Sequence, residues 1–208
     1  PWILDMQNDG ISAKGLWKNP QGRLKGYMEG WKWEIAAYKL SNYLELYMVP
    51  PTVEKRYKGN LGSCQLWKEG CLSLREIMEG INKKTIKIPS QKRAGFFRAL
   101  SLQRAFDNLI ANEDRHQNQY LVTDDWRMIL VDHSRSFRTT KKFTTNLIYA
   151  ENHKDKLLMN DMPKKLYEKI KSLNFDIVRE TVGSYLTDKE IDALLKRKGL
   201  IIAWMDNR

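Results

Sequence analysis

Residues 112–137 read N-E-D-R-H-Q-N-Q-Y-L-V-T-D-D-W-R-M-I-L-V-D-H-S-R-S-F, and this stretch decides how the rest of the chain is read. Residues 120–122 and 128–131 are short apolar strands, and Thr123-Asp124-Asp125-Trp126 supplies turn residues between them. A hairpin brings its two ends together. Asp114 before it and Asp132 after it are therefore placed where both carboxylates converge on one cation or one reacting group. Upstream, Leu102, Ala105, Phe106 and Leu109 form a core-facing stripe on a helix expected over residues 92–112, which delivers Asp114 to the hairpin.

The first third of the chain supplies a lysine and a glutamate. Gly15-Leu16-Trp17-Lys18 ends a strand that follows the Asn8-Asp9-Gly10 turn, so residues 3–6 and 11–18 pair as a hairpin. Glu34 lies in W-K-W-E-I-A-A-Y-K-L-S-N-Y-L, whose composition and apolar spacing predict a helix. Pro50-Pro51 stops any helix there, and residues 52–57 and 63–67 alternate like two strands around K-G-N-L-G. A buried ammonium and a buried carboxylate each need a partner, and Lys18 and Glu34 can serve each other.

Asp114-Arg115-His116 followed by Asp132-His133-Ser134 resembles the catalytic core of the protein-kinase-like superfamily, in particular its phosphoinositide 3/4-kinase-like branch, with a D-R-H loop and a D-F-G-type aspartate. The blocks W-K at 17–18, E-I-A-A-Y at 34–38, V-P-P-T-V at 49–53 and D-H-S-R-S-F at 132–137 are also similar to a group of bacterial kinase-like proteins, and the likeness spans roughly residues 8–138. It implies an α+β, two-lobed kinase-like fold, with a mixed N-lobe over residues 1–70 and a mostly helical C-lobe over 71–208. It further implies that Lys18 grounds the phosphates of ATP, Glu34 holds Lys18, and Asp132 binds Mg²⁺ or Mn²⁺ with Asn118 or Gln119. Asp114 would act on the acceptor hydroxyl, with His116 near the transferred phosphate. Gln65 and Trp67 would lie beside the adenine at the hinge, and Arg138, Lys141 and Lys142, following Arg135, would line the substrate loop.

The chain departs from the family at several points. Gln119 stands where the family has Asn, and His133 and Ser134 replace the Phe and Gly of D-F-G as spine or loop positions rather than ligands. The family's glycine-rich loop would precede residue 1.

Net charge is +11, from 36 basic and 25 acidic residues. The lysines of 164–171 and 189–198 are interleaved with Glu and Asp as on solvated helices, which makes a nucleic-acid partner a poor expectation; the cations after Asp132 suit an anionic acceptor instead. No apolar stretch reaches the ~20 residues that span a bilayer and no signal-peptide pattern is visible, so the expected location is cytoplasmic. Any targeting sequence would lie outside a chain that begins at Pro1. Cys64 and Cys71 read as small buried residues. Pro163 stands near the start of a helix within residues 157–173, and Thr187-x-x-Glu190 is a capping box opening a helix over 191–195, with Gly199 as its stop and an apolar run at 200–204.

The expected activity is transfer of the γ-phosphoryl group of ATP to a hydroxyl on a protein, a lipid head group or a small molecule. Two alternatives stand beside it. One is a pseudokinase-like module that binds nucleotide or an acidic partner, favoured by Gln119 and the missing glycine-rich loop. The other is a hydrolase with a metal held by Asp114, His116, Asp132 and His133.

Overall fold

Two antiparallel hairpins build the main sheet. In the computed structural model, which describes residues 1–150, 159 and 161–207, β1 (Trp2–Asn8) pairs with β2 (Ile11–Lys18), with Asn8 opposite Ile11. Asp9 and Gly10 both take positive φ, 48° and 79°, the turn geometry that follows the twist of the flanking strands. Lys58 and Gly59 repeat the device between β5 (Thr52–Tyr57) and β6 (Asn60–Leu66), and the four strands lie in the order β1-β2-β6-β5. A smaller hairpin, β3 (Gln21–Leu24) with β4 (Tyr27–Gly30), leads directly into helix α1 (Trp31–Tyr43).

The apolar side of α1, with Ile35, Ala36, Ala37 and Leu40, is buried almost completely. Its Trp33 indole N–H donates to Glu190 at 2.7 Å, tying α1 to the far end of the chain. One apolar core joins Ala36 and Leu40 of α1 to Phe106, Leu109, Leu130, Val178, Ile191 and Leu194, so packing is continuous across the boundary expected near residue 70.

After a two-residue strand β7 (Leu72–Ser73), helix α2 (Leu74–Asn82) opens on a Ser73–Glu76 capping box. Helix α3 (Ser90–Ile110) then runs 21 residues and ends at Ala111, whose left-handed φ of 50° turns the chain sharply toward Asp114. β8 (Tyr120–Val122) and β9 (Met128–Leu130) form the expected hairpin in register Tyr120↔Leu130, and β7 adds to its edge.

Short α4 (Lys141–Thr145) is followed by α5 (Lys164–Ser172), α6 (Phe175–Val182) and α7 (Asp188–Asp206). Pro163 caps α5 at its N-terminus; the part of the expected helix over 157, 158 and 160 lies outside the described residues. The Thr187–Glu190 capping box is present, but Gly199 does not stop the helix and residues 200–204 continue it. Gly199 is exposed with open space around it, and its cost of about 1 kcal/mol relative to Ala is outweighed by burial of Ile191, Leu194, Arg197 and Ile201 on either side. Cys64 is buried, whereas Cys71 is only half-buried. Among the described residues no helix is long and apolar enough to cross a membrane.

Candidate active site

Lys18 leaves the end of β2 and reaches between two carboxylates. It pairs with Glu34 of α1 and, at 2.8 Å, with Asp132 Oδ1, just after β9. Glu34 is wholly buried and Lys18 nearly so, whereas the Asp132 side chain is 45% exposed. Burial acts against both charges, but the attraction outweighs it: the Lys18 ammonium is raised above the usual lysine value and the Glu34 carboxyl is held below the usual carboxylate range. The other Glu34 oxygen accepts from the His133 backbone N–H at 3.0 Å.

Asp132 itself has φ of 60°, a left-handed conformation that aspartate tolerates better than most side chains. Its Oδ1 also accepts from Ser134 Oγ at 3.1 Å. These contacts fix one oxygen of Asp132 and leave the carboxylate at the edge of a cleft of about 1080 Å³. The cleft is lined by Lys18, Gln65, Trp67, Asp114, His116, Asn118, Gln119 and Asp132, which places eight of the residues singled out in the sequence around one space. Leu16 and Leu66 from the main sheet face Leu121, Ile129 and Val131 across it, an apolar slot between the two parts of the molecule.

Asp114 is held by its own loop. Arg115 points inward, where its guanidinium meets both oxygens of Asp107 at 2.9 and 3.0 Å and donates to the Val131 carbonyl at 2.6 Å. Arg115 also donates to His133 Nε2 at 2.9 Å, which leaves the proton of a neutral His133 on Nδ1, on the side of Glu34. Burial, with Arg115 beside it, depresses the His133 pKa below its ordinary value against the pull of Glu34. Asp107, Arg115, His133, Glu34 and Lys18 thus form one chain of shielded contacts from α3 to β2, which ends on the half-exposed Asp132 at the cleft.

His116 accepts from the Asn118 backbone N–H at Nδ1, 3.3 Å, and opens a single turn at 117–119. Gln119 is buried there and its amide oxygen accepts from the His116 N–H at 3.3 Å, while Asn118 is exposed to the cleft. Gln65 lines the cleft with its amide nitrogen donated to Thr52 at 2.9 Å.

The substrate-loop residues are not brought together with the rest. Arg138 is buried, ion-paired with Glu113 and stacked on Trp33, so its charge is spent inside the fold rather than offered to an acceptor. Lys141 and Lys142 are exposed at the start of α4 and neither lines the cleft. Arg135 is the cation that does. It pairs with Asp114 at 3.0 Å and with Glu29 of β4 at 2.7 Å, and lies 4.3 Å from the Tyr27 ring centroid. The sequence places Arg135 in a basic cluster but does not show these partners, of which Glu29 and Tyr27 come from the hairpin at residues 21–30, an element not expected from the sequence.

A four-ligand metal site is not formed. His133 is fully buried against Glu34 and Arg115 and does not line the cleft, and among the described residues no three His, Cys, Asp or Glu side chains are grouped to hold a metal. Of the carboxylates that line the cleft, Glu29 and Asp114 are paired with Arg135, which leaves Asp132, with the Asn118 amide on the same lining, as the candidate ligand set. That set fits Mg²⁺, which takes one or two carboxylates and leaves its other positions to water and phosphate oxygens.

No protein-family profile matches the chain, and no curated protein does. Among solved structures, the crystal structure of the Golgi casein kinase matches with a TM-score of 0.55 and 13% sequence identity, over 94% of this chain and 66% of that one. The chain therefore spans slightly under two thirds of its structural neighbour, and at this identity the likeness speaks to architecture. The small antiparallel sheet, the single helix behind it and the helical remainder constitute a protein-kinase-like fold.

Proposed function

We propose that the protein transfers the γ-phosphoryl group of ATP to an acceptor hydroxyl, as an atypical kinase. The observation that carries this reading is Lys18 bracketed by Glu34 and Asp132 in a cleft that Asp114 also lines. In a hydrolase with a simple metal centre neither Lys18 nor Glu34 would have a chemical task. Phosphoryl transfer needs a fixed cation on the phosphates and a separate carboxylate at the acceptor.

Adenine enters the slot between Leu16, Leu66, Leu121, Ile129 and Val131, with the exposed Trp67 and the buried Gln65 on the same lining. Lys18 grounds the phosphates, and Glu34 keeps the ammonium charged and aimed. A Mg²⁺ or Mn²⁺ ion held by Asp132 with Asn118 would neutralise charge on the phosphate oxygens. Asp114 accepts the hydrogen bond of the acceptor hydroxyl and takes its proton as the oxygen bonds to the γ-phosphorus; the bond to the β–γ bridging oxygen breaks and ADP leaves. Arg135, 3.0 Å from Asp114, is placed to meet negative charge on the group in transit. The D-R-H arrangement resembles that of the phosphoinositide 3/4-kinase-like branch, and the proposed acceptor is an anionic molecule.

Incubation with γ-labelled ATP and Mg²⁺ or Mn²⁺ tests the proposal, with autophosphorylation and release of free phosphate followed together. Label transfer or ADP formation that disappears in Asp132→Ala and in Asp114→Asn is expected. Absence of any nucleotide turnover and of any ATP-dependent thermal shift would overturn it.

A further inference from the structure

Behind the catalytic loop lies a second cavity, of about 990 Å³, that phosphotransfer does not use. Its walls are apolar, from Leu74, Met78 and Ile81 of α2 and Phe96, Phe97 and Leu100 of α3. Phe97 is 55% exposed and Met78 40%, so apolar surface is left open toward the space. Lys84, Lys87 and Arg93 line it as well, all exposed, together with Arg104, and among the described residues no Asp or Glu lines it.

Nearby carboxylates are already engaged. Glu76 closes the capping box with Ser73, and Glu79 pairs with Arg75 at 3.0 Å. Asp107, beneath the floor, is held by Arg115 and by Gln103. Lys84, Lys87 and Arg93 are thus exposed on this lining, with no acid of the described cavity wall to neutralise them. An apolar concavity of this size, at the upper end of the roughly 300–1,000 Å³ that small ligands occupy, with charge of one sign at its mouth, matches a molecule with an apolar body and an anionic head. A macromolecular partner would need a flatter and wider face.

We propose that this cavity binds a single-chain anionic amphiphile of the long-chain carboxylate class, its tail between α2 and α3 and its head beside Lys84, Lys87 and Arg93. His116 lines this cavity and the nucleotide cleft alike, so the two sites share a wall. The proposal does not rest on the phosphotransfer reading.

The test is calorimetric titration of the nucleotide-free protein with dodecanoate below its micelle concentration, and with dodecyltrimethylammonium as the cationic counterpart. One saturable dodecanoate site and no site for the cation are expected. A Lys84→Glu/Lys87→Glu/Arg93→Glu variant should bind dodecanoate at least tenfold more weakly, and Leu100→Trp, which fills the cavity, should abolish binding; circular dichroism melting controls for the fold of both. No saturable binding to the parent protein, equal binding of the cation, or an affinity unchanged in both variants would overturn the proposal. So would binding of an acidic aromatic peptide where dodecanoate fails, since that would make the surface a protein-docking face. Because no nucleotide is present, failure here leaves the catalytic reading untouched.

Discussion

The backbone N–H of His133 donates to Glu34 Oε2 at 3.0 Å, while the other oxygen of the same carboxylate holds Lys18. Glu34 therefore fixes two things at once, the cation on β2 and the chain segment that carries Asp132. Removing Lys18 strands a wholly buried carboxylate. Lys18→Met should cost about 3–5 kcal/mol in urea unfolding, and adding Glu34→Leu should recover part of the loss. In turnover assays, Lys18→Ala and Glu34→Ala should be strongly non-additive, with a coupling of about 1–3 kcal/mol. Two fully additive losses would mean that the pair does not act in the working state.

Asp132 should control metal dependence without controlling the fold. Asparagine tolerates the left-handed backbone and can keep the Ser134 contact, so Asp132→Asn should melt close to the parent. ATP with Mg²⁺ should raise the melting temperature of the parent and not that of the variant. A shift of equal size in the absence of metal would sink the assignment.

Asn118 and Gln119 should separate cleanly. Gln119 caps the loop from a buried position, and Asn118 is open to the cleft. Gln119→Ala should lower stability by about 1–2 kcal/mol and change the metal requirement little. Asn118→Ala should weaken the response to Mg²⁺ at nearly parental stability. Metal titrations of both variants decide this, and the reverse pattern would restore Gln119 as the ligand.

Acid should destabilise the protein in two stages. The folded state keeps His133 neutral below its ordinary value of 6.5, whereas the unfolded chain takes up a proton there. Stability is thus complete above that pH and is lost as pH falls toward the depressed folded value. Glu34, also depressed in the folded state, adds a second loss below its ordinary 4.5. Urea midpoints measured from pH 8 to pH 4 should fall in that order, and His133→Gln should flatten the first stage. A midpoint rising between pH 7 and pH 5 would contradict the neutral, buried histidine.

Asp114→Asn should lower turnover by roughly 10²–10⁴-fold while nucleotide affinity is retained, as for loss of a positioned base. The Arg135 ion pair would be weakened too, so a parallel Arg135→Gln variant is informative: its loss should be smaller and should depend on the acceptor used.

The residues that organise the cleft were legible because each sits beside strong local punctuation. Asp9-Gly10 ends the strand before Lys18, Pro50-Pro51 bounds the Glu34 helix segment, and the 123–126 turn sets Asp114 against Asp132. Ser73-Leu74-Arg75-Glu76 is an equally readable start signal for helix α2. Other features are tertiary and leave no local trace. Nothing near Arg138 in sequence indicates that it is buried against Trp33, and nothing near Gly199 indicates that packing on both sides carries the helix through it. The placement of Arg135 depends on Glu29, which lies far away in sequence.

The buried chain from Asp107 through Arg115, His133 and Glu34 to Lys18 has a mechanical corollary. It crosses from the helical half into the sheet along groups shielded from solvent, where dissolved salt screens weakly. The two halves are thus bolted together by polarity at the back of the cleft. The angle between them should be insensitive to ionic strength and already set before any ligand arrives. Admission of a ligand then falls to the front edge, where the base of the 21–30 hairpin is held by the Gly30 N–H on the Ser134 carbonyl and its Glu29 is latched to the acceptor side by the solvent-touched guanidinium of Arg135.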